Sequence, residues 1–139
     1  MRLYLDANPI VYSIEGVPDF RLAALGWIER AEAADGAVIT SRLSRLECRV
    51  KPLRDGNLDL LELFEGFFAR EGLELVEVTA EVIEAATQLR ATHNFRAPDA
   101  IHLASALVAK ADVFLTGDRN LARCPDLKVE VLARPRGAP

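Results

Sequence analysis

Four acidic residues stand where a fold could bring them together: Asp6, Glu47, Asp99 and Asp118. Asp6 directly follows the apolar run Leu3-Tyr4-Leu5, and Asp118 follows Val113-Phe114-Leu115 after a two-residue step. Asp99 falls in the first turn of a helix opened by Ala97-Pro98, where the positive end of the macrodipole favours a carboxylate. Glu47 lies about a turn and a half past Ser41, the expected cap of another helix. Ligands of an open parallel sheet bind beyond the carboxyl ends of its strands, so the four acids are expected on one rim. Asp112 precedes its strand and belongs at the opposite end. Carboxylates crowded into one crevice repel one another and take up protons unless a cation compensates. Hard divalent ions with oxygen ligands do so, and a bound metal can activate a water, orient a phosphate and stabilise a leaving oxygen. An acid-only rim without a dedicated nucleophile fits metal-assisted phosphodiester hydrolysis better than acyl transfer. Taken singly, an Asp at a strand end is also an ordinary cap or turn residue.

The remaining chemical candidates are thinner. His102 lies three residues after Asp99 and so shares its helix face. It either donates to a site carboxylate or sits in the core bonded to backbone; metal ligation is disfavoured because hard cations prefer oxygen. His93, beside Asn94, suits a helix C-terminus. Ser13, Ser41 and Ser44 have no evident His–Asp partnership, which speaks against a serine hydrolase. Cys48 and Cys124 form no C-x-x-C pair, so neither a disulfide framework nor a cysteine zinc site is expected. Cys48 reads as a packing residue.

The elements that must position these residues alternate. After the first strand and Asp6, Asn8-Pro9 opens a helix. Leu22, Leu25, Ile28 and Ala31 repeat at helical spacing over 20–34, and Asp35-Gly36 closes that segment. Ala37–Thr40 is a second strand, Ser41 caps a helix from Arg42 to Val50, and Pro52 is expected to end it. Leu58, Leu61, Phe64, Phe67 and Phe68 form a stripe that suits either the core or an interface, a dimer seam or a partner-helix groove. Leu73–Val78 alternates apolar and acidic residues as an edge strand does. Thr79 caps a helix carrying Val82, Ile83, Ala86 and Leu89. The helix from Ala97 runs to about Lys110, Val113–Leu115 is a buried strand, Val129 and Val131 mark the last strand, and 132–139 reads as a loose tail. Such alternation predicts an α/β fold, a three-layer α/β/α sandwich around a central parallel sheet.

Composition agrees. The 139 residues, half of them hydrophobic and 27% charged, suit a single globular domain over 1–139. Apolar runs all fall short of the roughly 18–20 residues a membrane span needs, and Asp6 breaks the N-terminal one, so a cytoplasmic protein is expected. The net charge of −4 argues against bulk electrostatic capture of nucleic acid, but its distribution is uneven. Residues 42–54 hold five basic side chains against Glu47, whereas 55–84 hold nine acids against Arg70. That pattern either steers an anionic polymer to one face or is ordinary solvated helix surface.

Four segments, taken together, resemble a known family. Leu3-Tyr4-Leu5-Asp6-Ala7-Asn8, Ser41 through Glu47, Pro98-Asp99-Ala100-Ile101-His102-Leu103-Ala104 and Phe114-Leu115-Thr116-Gly117-Asp118 are similar to the four signatures of PIN-domain ribonucleases, in the same order and over nearly the whole chain. The Pro98–Ala104 run is the most specific. Within that family the chain resembles the VapC toxins of type II (VapBC) toxin–antitoxin pairs, which are similarly short, single PIN domains. The resemblance implies a Mg2+- or Mn2+-dependent endoribonuclease with Asp6, Glu47, Asp99 and Asp118 as metal-binding, catalytic acids. It implies a metal-activated water as nucleophile and products with 5′-phosphate and 3′-hydroxyl ends. Thr116 and Asn8 match polar positions that would support the acids, with His102 beside them. Arg42, Arg45, Arg49, Arg96 and Arg119 are the candidate RNA contacts, with Lys51 and Arg54 beside the first three. The implied partners are an RNA substrate, a VapB-like antitoxin covering the acids, and a second copy in a homodimer. The chain departs from the pattern in its basic stretch before Glu47. It also carries Gly117 where a polar residue is often seen, which is expected to loosen that corner.

Two rival readings fit the residues less well. A non-catalytic RNA- or protein-binding module of the same fold would have been favoured by loss of an acid, and none is lost. A phosphoryl-transfer domain with an aspartate nucleophile needs a second acid at position 8, where Asn8 stands, or a well-placed late lysine, which Lys128 is not.

Overall fold

A computed structural model describes residues 1–132. The order is β1 (Arg2–Leu5), α1 (Ala7–Glu15), α2 (Pro18–Ala33), β2 (Ala37–Ser41), α3 (Arg42–Asp55), α4 (Leu58–Phe68), β3 (Leu73–Val76), α5 (Ala80–His93), α6 (Ala97–Val108), β4 (Val113–Thr116) and β5 (Val129–Val131). A short 3-10 helix, Arg119–Arg123, links the last two strands. The five strands form one sheet in the order β3-β2-β1-β4-β5, every pair parallel.

Successive residues of a strand point to opposite faces, and each face here has its own core. Leu3 and Leu5 pack with Ile10, Ile28, Phe64 and Phe67 on one side. Tyr4 packs with Ile39, Val82, Leu89, Leu103 and Phe114 on the other. Helices therefore cover both faces, the arrangement an all-parallel sheet requires. Burying a side chain such as Phe64 or Phe114 stabilises the fold by about 1.5–3 kcal/mol each. The aromatic stripe divides: Phe64 and Phe67 are core, whereas Leu58 is 73% exposed.

Local rules place the helix starts. Ser41 accepts from Leu43 N at 3.0 Å and Thr79 from Val82 N at 3.2 Å, each satisfying an otherwise unpaired donor. Helix α3 corrects one expectation, since Pro52 does not end it. The proline removes one intrahelical hydrogen bond, but its ring is buried, and the chain runs on to Asp55. The stop is Gly56, whose φ of 65° lies in the left-handed region that glycine enters without strain. Of the expected tail over 132–139, only its first residue is described, and that residue is held in place. Leu132 is buried and its N–H bonds Thr116 O at 2.8 Å, while 133–139 lie outside the described residues.

At the amino end of the sheet, Asp112 accepts from Arg2 N at 2.7 Å, and the Arg2 guanidinium forks onto Glu74 at 2.8 and 3.0 Å. The opposite end is left for the acids. Strand order reverses across the β1–β4 pair, which makes the rim above these two strands the crevice of the sheet.

Candidate active site

Asp6 leaves β1 and caps α1, its Oδ1 accepting from Ala7 N at 2.8 Å. Its Oδ2 accepts from the Thr116 hydroxyl at 2.8 Å, and Thr116 Oγ1 in turn accepts from Asp118 N at 3.1 Å. One buried hydroxyl thus ties the acid after β1 to the acid after β4. Asp118 caps the 3-10 helix through Asn120 N at 2.9 Å. Glu47 projects from α3 and Asp99 from the first turn of α6. The four acids line one cavity of about 290 Å³ together with Ala7, Asn8, Val11 and Arg96.

Each acid leans on a partner of its own. His102, 1% exposed, reaches Glu47 Oε1 with Nε2 at 2.5 Å and lies 3.6 Å from Asp6 Oδ1. Its Nδ1 is 2.8 Å from the hydroxyl of Tyr4, which is wholly buried. Asp99 takes Nε of Arg96 at 3.2 Å. Among the described residues no three His, Cys, Asp or Glu side chains stand together as a ready-made metal cluster.

Burial pushes the Asp6 carboxyl upward, and Glu47 adds to the push against the pull of His102, Thr116 and Ala7 N. Burial works against charge on His102, but its hydrogen bond to Glu47 and the charges of Asp6, Glu47 and Asp99 outweigh it, and its pKa rises above 6.5. Both raised groups bind protons more readily folded than unfolded. The His102 contribution to stability is complete below its ordinary pKa of 6.5 and is lost as pH climbs through the higher folded value. The Asp6 contribution has the same sign at lower pH, complete below 3.8 and lost above. Metal-free stability is therefore expected to fall as pH rises from about 6.5. A thermal midpoint that climbs over that range would contradict the assignment.

The family model described as PIN domain matches residues 3–127. The chain belongs to the PIN domain family. Solved structures share the fold of this PIN domain at low identity. A chain of VapBC2 from Rickettsia felis, crystallised with a DNA fragment from their promoter, superposes with a TM-score of 0.71 at 17% identity, covering 96% of this chain and all (100%) of that one. A toxin–antitoxin complex from Klebsiella pneumoniae gives 0.71 at 18%, covering 97% and 100%. VapC20 of Mycobacterium tuberculosis, a sarcin–ricin loop cleaving toxin, gives 0.71 at 16%, covering 96% and 99%. Curated proteins yield no sequence match.

Of the arginines singled out in the sequence, the PIN domain brings only Arg96 to the cavity wall. Arg42 is tied to Glu77, and Arg45 and Arg49 both hold Glu65 on α4. Arg45 also lies over the Phe68 ring at 5.2 Å. Those three pair with acids on neighbouring segments and stand away from the cavity wall. Arg119 is exposed, directly after Asp118. Cys48 is a buried thiol that burial, then Glu47, Asp6 and Glu15, push up to about 12, so it has no thiolate to offer.

Gly117 overturns another expectation. Its N–H donates to Asn8 Oδ1 at 2.7 Å, and a Cβ there would meet the Tyr12 ring at 3.1 Å. Tyr12 occupies the room a side chain would take, so the corner is filled rather than loose. Tyr4 is the residue that sequence reasoning missed. Its position inside an apolar strand signals only burial, and nothing local says that its hydroxyl meets a histidine far along the chain.

Thr116→Val tests the hydroxyl bridge. The variant keeps shape but strips Asp6 and Asp118 N of their shared partner, and hydrogen bonds to charged groups are each worth about 1.5–3 kcal/mol. Urea unfolding is expected to show a loss of that size, and unchanged stability would mean the bridge contributes nothing.

Proposed function

We propose that this PIN domain is a metal-dependent endoribonuclease, using Mg2+ or Mn2+, and that it is the toxin of a VapBC-type toxin–antitoxin pair. The observation that supports this reading is the convergence of four carboxylates from four separate elements on one cavity at the carboxyl ends of β1 and β4. All available donors are oxygens, as a hard dication prefers. The residues fit such an ion chemically: buried Asp6 carries a raised pKa that a positive charge would relieve.

Asp6, Glu47, Asp99 and Asp118 would hold the ion. A bound dication supplies positive charge for a phosphate oxygen and lowers the pKa of a water. The chain's own residues do the positioning. Thr116 fixes Asp6 and the backbone of Asp118, Asn8 holds Gly117 so that Asp118 keeps its place, and His102 orients Glu47.

The partner reading follows from the neighbours. The Klebsiella structure is a toxin–antitoxin complex and VapC20 is a loop-cleaving toxin. An antitoxin segment that covers the acid rim would silence this chain. Among the described residues no helix is long and apolar enough to cross a membrane.

The test is cleavage of a pool of structured RNAs by the purified chain in Mg2+, in Mn2+ and in chelator. Cleavage that the chelator stops is the expected result. Absence of cleavage together with absence of metal binding by calorimetry would sink the proposal in favour of a non-catalytic binding module.

A further inference from the structure

Arg96 differs from the other arginines of the basic stretches. It is the N-cap residue of α6, with no side-chain capping bond, and its side chain is 79% exposed. Only Nε is engaged, on Asp99 Oδ2 at 3.2 Å. Its two terminal amino groups find no acceptor among the described residues. Asp99 is the opposite case, with a side chain 12% exposed and facing a cavity shared with Asp6, Glu47 and Asp118. A buried acid that faces three others is thus held by one long contact from a solvated cation.

Such a contact is weak, because an exposed guanidinium loses little by returning to water. A dication among the four acids would attract Asp99 far more strongly. The freed guanidinium would then stand at the mouth of the same cavity with all five donors available, and its planar fork matches the oxygens of a phosphodiester.

We propose that Arg96 is an exchangeable cation: it sits on Asp99 until a divalent ion does, and then passes to the phosphate of the RNA. The exchange rests on the metal-dependent nuclease reading above and deepens it, giving the site a residue whose two roles oppose each other. Removing Arg96 frees an acid for the metal and removes a contact for the RNA.

Calorimetric titration with Mn2+ reads the first role. Arg96→Gln is expected to bind Mn2+ about two- to fivefold more tightly than the wild type, the scale of an exposed ion pair. Arg96→Lys, which keeps the charge, is expected to stay near wild type. Binding of a labelled single-stranded RNA, followed by anisotropy against salt, reads the second. With Ca2+ present, Arg96→Gln is expected to flatten the salt dependence by about one phosphate contact, and with chelator to leave it unchanged. Equal or weaker Mn2+ binding by Arg96→Gln overturns the exchange, as does an equal loss of slope with and without Ca2+. A wild-type chain that takes up no Mn2+ overturns the metal reading itself, a result distinct from either.

Discussion

Asp99→Asn is expected to lower RNA cleavage by at least about a hundredfold while leaving the fold in place, since even partners of metal ligands cost 10–100-fold when removed. The substitution is nearly isosteric, so the packing of α6 against the sheet is kept. What it loses in stability is small. The ion pair with exposed Arg96 contributes little, and the carboxylate's interaction with the helix dipole about 0.3–1 kcal/mol. What it would lose in chemistry, on the metal-dependent reading, is one of four negative charges offered to a dication, at the acid least tied to the rest of the protein. Asp6 is held by Thr116 and Ala7, and Asp118 by its own cap, whereas Asp99 has only a solvated arginine to release. Rates and thermal midpoints measured on the same preparations separate the two effects. Cleavage at the wild-type rate would remove Asp99 from the site.

His102→Ala is expected to do the reverse, and to cost stability first. The imidazole joins Tyr4 on one side to Glu47 on the other, with Asp6 at 3.6 Å. Truncating it leaves a buried tyrosine hydroxyl without this partner, takes the imidazole from beside Asp6 and Glu47 and opens a cavity beneath the acids. Each loss is of a kind that costs a few kcal/mol, and together they should remove about 3 kcal/mol or more. For a domain of this size that corresponds to a fall in thermal midpoint on the order of 10 °C. Added Mn2+ should recover part of the fall, because a ligand that binds only the folded state stabilises it. A variant as stable as wild type in chelator would show that the contacts of His102 contribute nothing to the fold.

The acid rim was legible because it follows from local rules. An acid directly after an apolar strand, a proline and an acid in a helix's first turn, and a serine cap before Glu47 each declare their place within a few residues. Parallel topology then brings them to one end. Contacts between elements far apart in sequence were not legible. The basic stretch gave no sign that Arg45 and Arg49 would meet Glu65 on α4, or that Arg42 would meet Glu77 after β3. Gly117 reads as a missing side chain until Tyr12 is seen filling the space. Pro52 reads as a stop because the rule against proline concerns one hydrogen bond and ignores what its ring buries. In each case the local signal was sound and a partner from elsewhere decided its meaning.

The hydroxyl bridge from Thr116 to Asp6 spans 110 residues, and β1 lies in the sheet between β2 and β4. On a ribosome the first acid emerges early and then waits, for β1 cannot gain its second neighbour until β4 has been synthesised. A growing chain therefore carries three of the acids without the crevice that would unite them, and domains of this kind fold as units. Translation products that stop before Val113 would lack the wall on which Asp6 is braced. Whatever the acid rim does would then begin with the late arrival of a single strand, after almost the entire chain has been made.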